Sequence, residues 1–407
     1  MRMNKKKKIV PKLRFPEFFN SYWGITQLYA LAFKIAERNK SGDFTRVFTN
    51  SAAEGVVDQE EFFDRHIANK NNLTNYFVVK KGDYIYNPRI STAAPAGPVS
   101  KNKLGIGVVS PLYTVFRFRN QEDDFYEYFF LTNLWHTYTK NHSNTGARHD
   151  RITISADNFM KMPVPYTSSE EQQKIADCLS SADELIDAES RKLEALKKHK
   201  KGLMQKLFPA EGKILPEWRF PEFRDKKEWS ISPLGKICTN YDSRRIPITE
   251  KDRVAGKIPY IGASGVIDYI NDFIFDEDLL CVSEDGANLT ARTYPIAFSI
   301  SGKTWVNNHA HVLKFAHKYT QNIVESYLNM INLQDFLTGM TQPKLNRAKL
   351  DNIPIPFPEE KEQKKIADCL SEIDTLIMEQ SNKIEQLKKH KRGLMQGLFP
   401  SFEEADV

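Results

Sequence analysis

Residues 172–209 read QQKIADCLSSADELIDAESRKLEALKKHKKGLMQKLFP, and residues 363–400 read QKKIADCLSEIDTLIMEQSNKIEQLKKHKRGLMQGLFP. The two stretches agree at 26 of 38 positions, at a constant offset of 191 and without a gap. The chain therefore carries one frame twice, and whatever precedes each copy is presented in duplicate. Alternate steps of four and three along the first copy meet Ile175, Leu179, Ala182, Ile186, Glu189, Leu193, Leu196, Lys200, Leu203 and Leu207. In the second copy they meet Ile366, Leu370, Ile373, Ile377, Gln380, Ile384, Leu387, Lys391, Leu394 and Leu398. Apolar residues recurring every 3.5 positions over more than four heptads define a coiled-coil seam.

Proline brackets both copies, with Pro163 and Pro165 before the first, Pro354 and Pro356 before the second, and Pro209 and Pro400 after them. A proline cannot continue a helix, so each copy predicts one long helix of about 55 Å. Ser168 with Glu171 fits a capping box at the first start. Neither stripe is stable alone in water, and the two match in length and pattern, so each predicts the other as its partner. Antiparallel pairing lets the chain return from the end of one helix to the start of the next and makes the molecule pseudo-two-fold symmetric. Under that symmetry Glu189 faces Gln380, a polar pair that fixes register.

Identity extends beyond the seam. Lys197, Lys198, His199 and Lys200 recur as Lys388, Lys389, His390 and Lys391. That run fits a solvated face, a DNA-phosphate contact or a partner contact. Gly202 and Gly393 fit either a close backbone approach or a frayed helix end.

Each segment ahead of a helix also opens alike. Arg14-Phe15-Pro16-Glu17-Phe18 matches Arg219-Phe220-Pro221-Glu222-Phe223, with Trp23 and Trp229 shortly after. The expected organisation is a first lobe over 1–166, a long helix over 167–210, a second lobe over 211–357 and a second long helix over 358–407. The fold class is α+β: two mixed α/β lobes with two long helices. Strands are expected near 76–79, 112–118, 273–275 and 311–315, and helices near 127–138 and 323–337. Beyond their openings the lobes hardly resemble each other.

With 407 residues, 41% hydrophobic, the chain can bury two domain cores. No apolar run approaches the roughly 18 residues of a membrane span. The basic start at Lys5–Lys8 leads into Ile9-Val10-Pro11, not into an apolar export segment. Cys178, Cys238, Cys281 and Cys369 are scattered without a CxxC pair, which suits reduced thiols in a cytoplasm. A net charge of +6, from 58 basic and 52 acidic residues, is compatible with nucleic acid, and local clustering has to decide.

Basic and amide residues do cluster in the loops. The first lobe offers Lys34, Arg38, Lys40, Arg46, Tyr86, Asn87, Arg89, Lys103, Arg148, His149 and Arg151. The second offers Arg244, Arg245, Lys257, Tyr260, Ser264, Lys303, Asn307, Lys344 and Asn346. Arginine and lysine fit guanine edges and phosphates, and amides fit adenine. Catalytic signatures are absent. Gly302-Lys303-Thr304 lacks the first glycine of a phosphate loop, and Asn87-Pro88-Arg89 departs from a methyl-transfer motif at its third position. His309 and His311 lack neighbours in sequence that would complete a metal set, which favours a hydrogen-bonded structural role. No catalytic or metal residue is expected.

The order lobe, helix, lobe, helix resembles the specificity subunit of type I restriction-modification enzymes over essentially the full length. The residues that carry it are the two helix copies, the paired Arg-Phe-Pro-Glu-Phe openings, Pro259-Tyr260-Ile261-Gly262-Ala263-Ser264-Gly265 and Val306-Asn307-Asn308-His309-Ala310-His311-Val312-Leu313. The resemblance implies double-stranded DNA as ligand, each lobe reading half of a bipartite asymmetric site. It further implies two methyltransferase (modification) subunits that use S-adenosylmethionine, and restriction/translocase subunits that use ATP and magnesium. None of those cofactors is expected in this chain. Two other classes stay open on the residues alone: a stand-alone architectural DNA-binding protein and a coiled-coil scaffold that binds only proteins.

Overall fold

A computed structural model describes residues 9–62, 70–120, 123–143, 150–339 and 342–401. The repeated stretches form two helices of 39 residues each, Ser169–Leu207 and Glu360–Leu398. Along both, every position of the 3.5-residue stripe is buried or half-buried, while Glu184, Leu185, Asp187 and Ala188 between stripe positions are exposed. Among the described residues, no helix is long and apolar enough to cross a membrane.

The chain divides into two compact units, residues 1–188 with 384–407, and residues 189–383. In the first, Lys391 bonds Asp183, which also accepts from the Tyr128 hydroxyl at 3.0 Å. Ile175, Leu179, Leu398 and Phe399 join the lobe core there. In the second, Lys200 Nζ lies 2.6 Å from Asp374 Oδ1, and Gln380 Nε2 donates to Glu189 Oε2 at 2.6 Å and to its carbonyl at 2.9 Å. Lys383 adds an ion pair to Glu189 at 2.5 Å. In that unit partner numbers fall along the second helix as they rise along the first, so the helices run antiparallel. The Lys391–Asp183 and Lys200–Asp374 pairs occupy the same positions of the repeat.

The shared openings explain how each lobe grips its helix. Arg14 makes a bidentate pair with Glu171 at 2.7 and 2.8 Å, and Trp23 Nε1 and Thr167 Oγ1 donate to the same carboxylate at 3.1 and 2.5 Å. In the second unit Arg219 holds Glu362 at 2.8 and 2.6 Å, with Trp229 Nε1 at 3.2 Å. All four charged side chains are at most 7% exposed. The expected capping box is thus half formed: the Ser168 hydroxyl accepts from the Glu171 amide at 3.3 Å, but the Glu171 carboxylate turns to the clamp. A backbone tie also repeats, Leu13 N to Gly397 O at 2.8 Å and Trp218 N to Lys206 O at 2.9 Å. A β-carbon on Gly397 would lie 2.5 Å from Leu13 Cδ1, so glycine there admits the crossing chain. Nothing lies within 4 Å of a β-carbon built on Gly202 or Gly393.

Both lobes share one topology despite their divergent sequences. In the first, an antiparallel sheet orders Ala32–Ile35, Thr114–Phe118, Tyr84–Tyr86 and Val99–Lys101. A second sheet orders Gly55–Asp58, Val47–Ser51, Gly107–Val109 and Phe77–Val79, its middle pair parallel. The second lobe repeats the first sheet as Thr239–Asn240, Ala310–Lys314, Leu279–Ser283 and Ala297–Ile300. It repeats the other as Gly265–Ile270, Ala255–Gly262, Lys303–Val306 and Phe275–Asp276, again parallel in the middle. A two-stranded ribbon closes each lobe, Gly24–Gln27 with Pro163–Tyr166 and Ser230–Pro233 with Pro354–Phe357. The helix expected near 127–138 is two helices, Asp124–Phe130 and His136–Asn141. The Thr132 hydroxyl donates to the Phe129 carbonyl at 2.7 Å and interrupts the ladder between them.

Removing one partner of a buried pair strands the other charge, so Arg14→Ala and Arg219→Ala should each destabilise their unit by about 3–5 kcal/mol. Denaturant unfolding of the full chain measures this. Burial pushes the Glu171 carboxyl up, but the bonds from Arg14, Thr167 and Trp23 outweigh it and hold the group below the usual carboxylate range. Its stabilisation is therefore complete above about pH 4.3, the ordinary glutamate value, and is lost as pH falls through the lower folded value. Melting temperatures from pH 7 down to pH 3 should drop only in that acid range, and less in Arg14→Ala.

Candidate nucleic-acid interface

In each lobe the antiparallel sheet brings several loops to one edge. In the second lobe these are the loops after Asn240, after Ser283 and before Ala310, because Thr239–Asn240 and Leu279–Ser283 both run opposite to Ala310–Lys314. The segment around Lys344 joins them, with Leu345 N donating to Glu284 O at 2.8 Å and Asp285 bridging Lys344. In the first lobe the matching edge carries the loop after Tyr86, where Arg89 bridges Arg151. These edges gather side chains far apart in sequence.

The outward candidates there are cationic or amide. Arg244 is 46% exposed, lies over the rings of Tyr241 and Phe275 at 4.5 and 4.8 Å, and reaches Glu277 at 3.2 Å. Ser264, Asn308, His309 and Lys344 are exposed nearby in sequence or along the strand ends. His309 Nδ1 meets Asp285 at 2.9 Å, and Lys344 meets Glu284 at 3.2 Å. In the first lobe Lys40 and Arg89 are exposed, with Arg89 and Arg151 lying 3.6 and 3.8 Å from Asp150. Lys34, paired to Asp157 at 2.9 Å, and Lys103, paired to Glu127 at 2.7 Å, are exposed as well. Arg38 is exposed, with its guanidinium on the Asn75 carbonyl at 2.7 Å and over Phe77. Arg46 is held by Asp58 at 2.6 Å. Lys257 and Lys303 are exposed on strands of the other sheet, Lys303 over the Phe273 ring. Arg148 and His149 lie outside the described residues.

Other candidates expected to face DNA are interior. Tyr86 is buried, stacks on Phe159 at 4.4 Å and donates its hydroxyl to Ala96 O at 3.0 Å. Asn87 is buried and its Nδ2 donates to Asn50 O at 2.9 Å, while its Oδ1 accepts from Arg89 N at 3.0 Å. Tyr260 is buried with its hydroxyl on the Ile248 backbone. Asn307 is buried and accepts from His309 N at 2.8 Å. Asn346 is not interior but half-buried, and it caps the short helix Arg347–Asp351 by accepting from Lys349 N at 3.0 Å. In each case backbone groups claim the polar atoms that the sequence suggested were free.

Arg245 is interior too, 13% exposed, within a network the sequence did not reveal. Its Nη1 donates to Glu284 Oε2 at 2.7 Å and to Ala310 O at 2.8 Å, and its Nε donates to Asp242 O at 3.1 Å. His311, 1% exposed, places Nδ1 2.6 Å from Asp242 Oδ2 and Nε2 2.7 Å from Leu345 O. Ligating atoms of Asp242, Glu284 and His311 fall within 4.8 Å of one another, a spacing a cation could use, and the Arg245 guanidinium is the cation they hold. Burial pushes both carboxyls up, yet the bonds from His311 to Asp242 and from Arg245 to Glu284 keep them below the usual range. The sequence also missed a groove of about 720 Å³ in the first lobe lined by Lys80, Lys81, Lys101, Arg117 and Arg119 beside Phe33. Lys101 is tied to Asp123 and Asp124, and Arg117 to Asp83.

Known proteins resemble this chain in sequence and in fold. Profiles of the type I restriction modification DNA specificity domain match residues 32–198 and again 226–389. The chain belongs to that family of DNA specificity proteins. A putative type I restriction enzyme specificity subunit of Haemophilus influenzae is 34% identical over 152 residues, 37% of this chain and 38% of that relative, so this match spans well under half of that protein. The MjaVIII specificity subunit of Methanocaldococcus jannaschii is 26% identical over 402 residues, 87% of this chain and 89% of the relative. In fold, the crystal structure of the type I restriction-modification S subunit from M. genitalium superposes over 97% of this chain and 100% of its own, with a TM-score of 0.60 at 14% identity. A chain from a study of complex assembly and conformational transition of a type I R-M system superposes over 96% and 98%, with a TM-score of 0.57 at 13% identity.

Two variants separate surface from interior. Arg244→Ala should weaken DNA binding by about 1–3 kcal/mol if it reads a base. Tyr260→Phe should leave DNA preference unchanged and cost about 1 kcal/mol of stability through the lost hydroxyl bonds. Duplex titration paired with denaturant unfolding of both variants checks the contrast.

Proposed function

We propose that this chain is the DNA-recognition subunit of a type I restriction-modification complex, in which each lobe reads one half of a bipartite, asymmetric site and the helices set the unread spacer. The observation that carries this is the contrast between frame and loops. Strand order, clamp and helix are duplicated, whereas the loops at the sheet edges differ between lobes: amides in the first, buried charges in the second. Two equal frames with unequal reading edges suit a site with unequal halves. The work of this chain is recognition. S-adenosylmethionine would act in two modification subunits, and ATP and magnesium in restriction/translocase subunits.

The helices also support docking of the modification subunits. Leu185 and Leu376 hold the same position of the repeat and are 45% and 50% exposed, as are His199 and His390. Identical exposed residues on two copies fit one partner species bound twice. In the second unit, Lys197, Lys201 and Met204 of the first helix also line a cavity of about 990 Å³ with Tyr294 and Ile331.

Mapping methylated adenines across a genome with and without this chain tests the reading. One asymmetric bipartite motif should appear only with it. Inserting one heptad into both helices, about 10.5 Å of rise, should lengthen the spacer by about 3 base pairs at roughly 3.4 Å each while both half-sites stay the same. Unchanged spacing, or altered half-sites, contradicts the reading.

A further inference from the structure

Arg244 and Arg245 are neighbours with opposite surroundings. The first projects from the reading edge, 46% exposed. The second lies beneath that edge, where one guanidinium bonds three of the segments that build it: the turn at Asp242, the strand end at Glu284 and the strand start at Ala310. His311 extends the tie to a fourth, through Asp242 on one side and the Leu345 carbonyl on the other. Asp242 Oδ1 in turn accepts from Val312 N at 2.9 Å. The tips of these same segments carry Arg244, Asn308, His309 and Lys344.

We propose that Arg245 is a positioning residue for base recognition: it sets the sequence preference of the second lobe by fixing the relative placement of its reading loops, without itself touching DNA. This rests on the proposed reading of DNA by the lobes. A planar five-donor cation is suited to the task because it can hold a carboxylate and two carbonyls at fixed angles, which lysine cannot. The first lobe ties other segments, and with neutral amides: Asn50 Nδ2 on the strand Val47–Ser51 donates to Ile85 O and Pro98 O at 2.6 and 3.0 Å, and Asn87 Nδ2 donates to Asn50 O at 2.9 Å. Loss of the Arg245 network should therefore be felt in one half-site only. Loops that lose their tie sample several placements, so preference falls at every base pair they read.

The test is selection from a pool of random-sequence duplex DNA by the full-length chain, purified with the subunits it assembles with, followed by titration of a non-specific duplex at several salt concentrations. For Arg245→Met we expect several adjacent positions of one half-site to lose preference together, by about tenfold each, with the other half-site and the salt dependence unchanged. Loss at a single base pair would make Arg245 a direct reader and overturn the proposal. A fall of about 0.9 in the salt slope would make it a phosphate contact and overturn it equally. Retention of the full half-site would overturn it outright. Should Arg245→Met unfold the second lobe, Arg245→Lys, which keeps the charge but not the fixed fork of donors, must relax the same half-site; a sharp half-site in that variant refutes the proposal. A wild-type chain that enriches no bipartite sequence fails the functional reading itself, and this inference with it.

Discussion

Each lobe is fastened to its helix by one buried arginine–glutamate pair, and much of the architecture depends on that contact. A charge pair taken out of water is a poor source of stability in itself, because desolvation offsets most of its attraction. Its value lies in geometry. The bidentate pairs Arg14–Glu171 and Arg219–Glu362, each also bonded by a tryptophan indole, admit only one placement of the chain entering the lobe against the helix beginning after it. The ribbon strands beside each clamp close the lobe at its base. With both ends of the insert fixed, the loops at the far side can change without disturbing the frame.

The helix seam imposes the second constraint. Ile175, Leu179 and Leu398 in one unit, and Leu207, Ile366 and Leu370 in the other, pack into the lobe cores as well as along the seam. Lobe and helix therefore share one core in each unit. The polar contact of Gln380 with Glu189 lies near the middle of a stripe whose other polar positions are Lys200 and Lys391, and an amide facing a carboxylate is satisfied only in this register. Sliding either helix by one heptad would oppose both groups to apolar residues, Ile373 or Leu387 for Glu189 and Ala182 or Leu196 for Gln380.

How much of this the sequence discloses depends on the range of the interaction. The seam is local periodicity, and its ten positions per copy can be counted directly. The clamp is visible as paired Arg-Phe-Pro-Glu-Phe openings, but their partner is not, since Glu171 lies 157 residues from Arg14 and looks like a capping residue. Sheet topology is illegible because strands such as Val47–Ser51 and Gly107–Val109 pair in parallel although strands of both sheets lie between them in sequence. At the sheet edge of the second lobe, composition misleads: Arg244 and Arg245 are the same residue side by side, and only the fold buries the second against Glu284 and Asp242. Tyr86, Asn87, Tyr260 and Asn307 mislead for the same reason, as buried residues whose polar atoms serve the backbone.

The central claim is that the clamp and helices are a common frame and that each lobe alone decides its half-site. A chain in which residues 24–166 are replaced by residues 230–357 would carry the second lobe twice on intact helices. Methylated-adenine mapping with that chain should give an inverted repeat of a single half-site about the original spacer. Persistence of the asymmetric site would contradict the account.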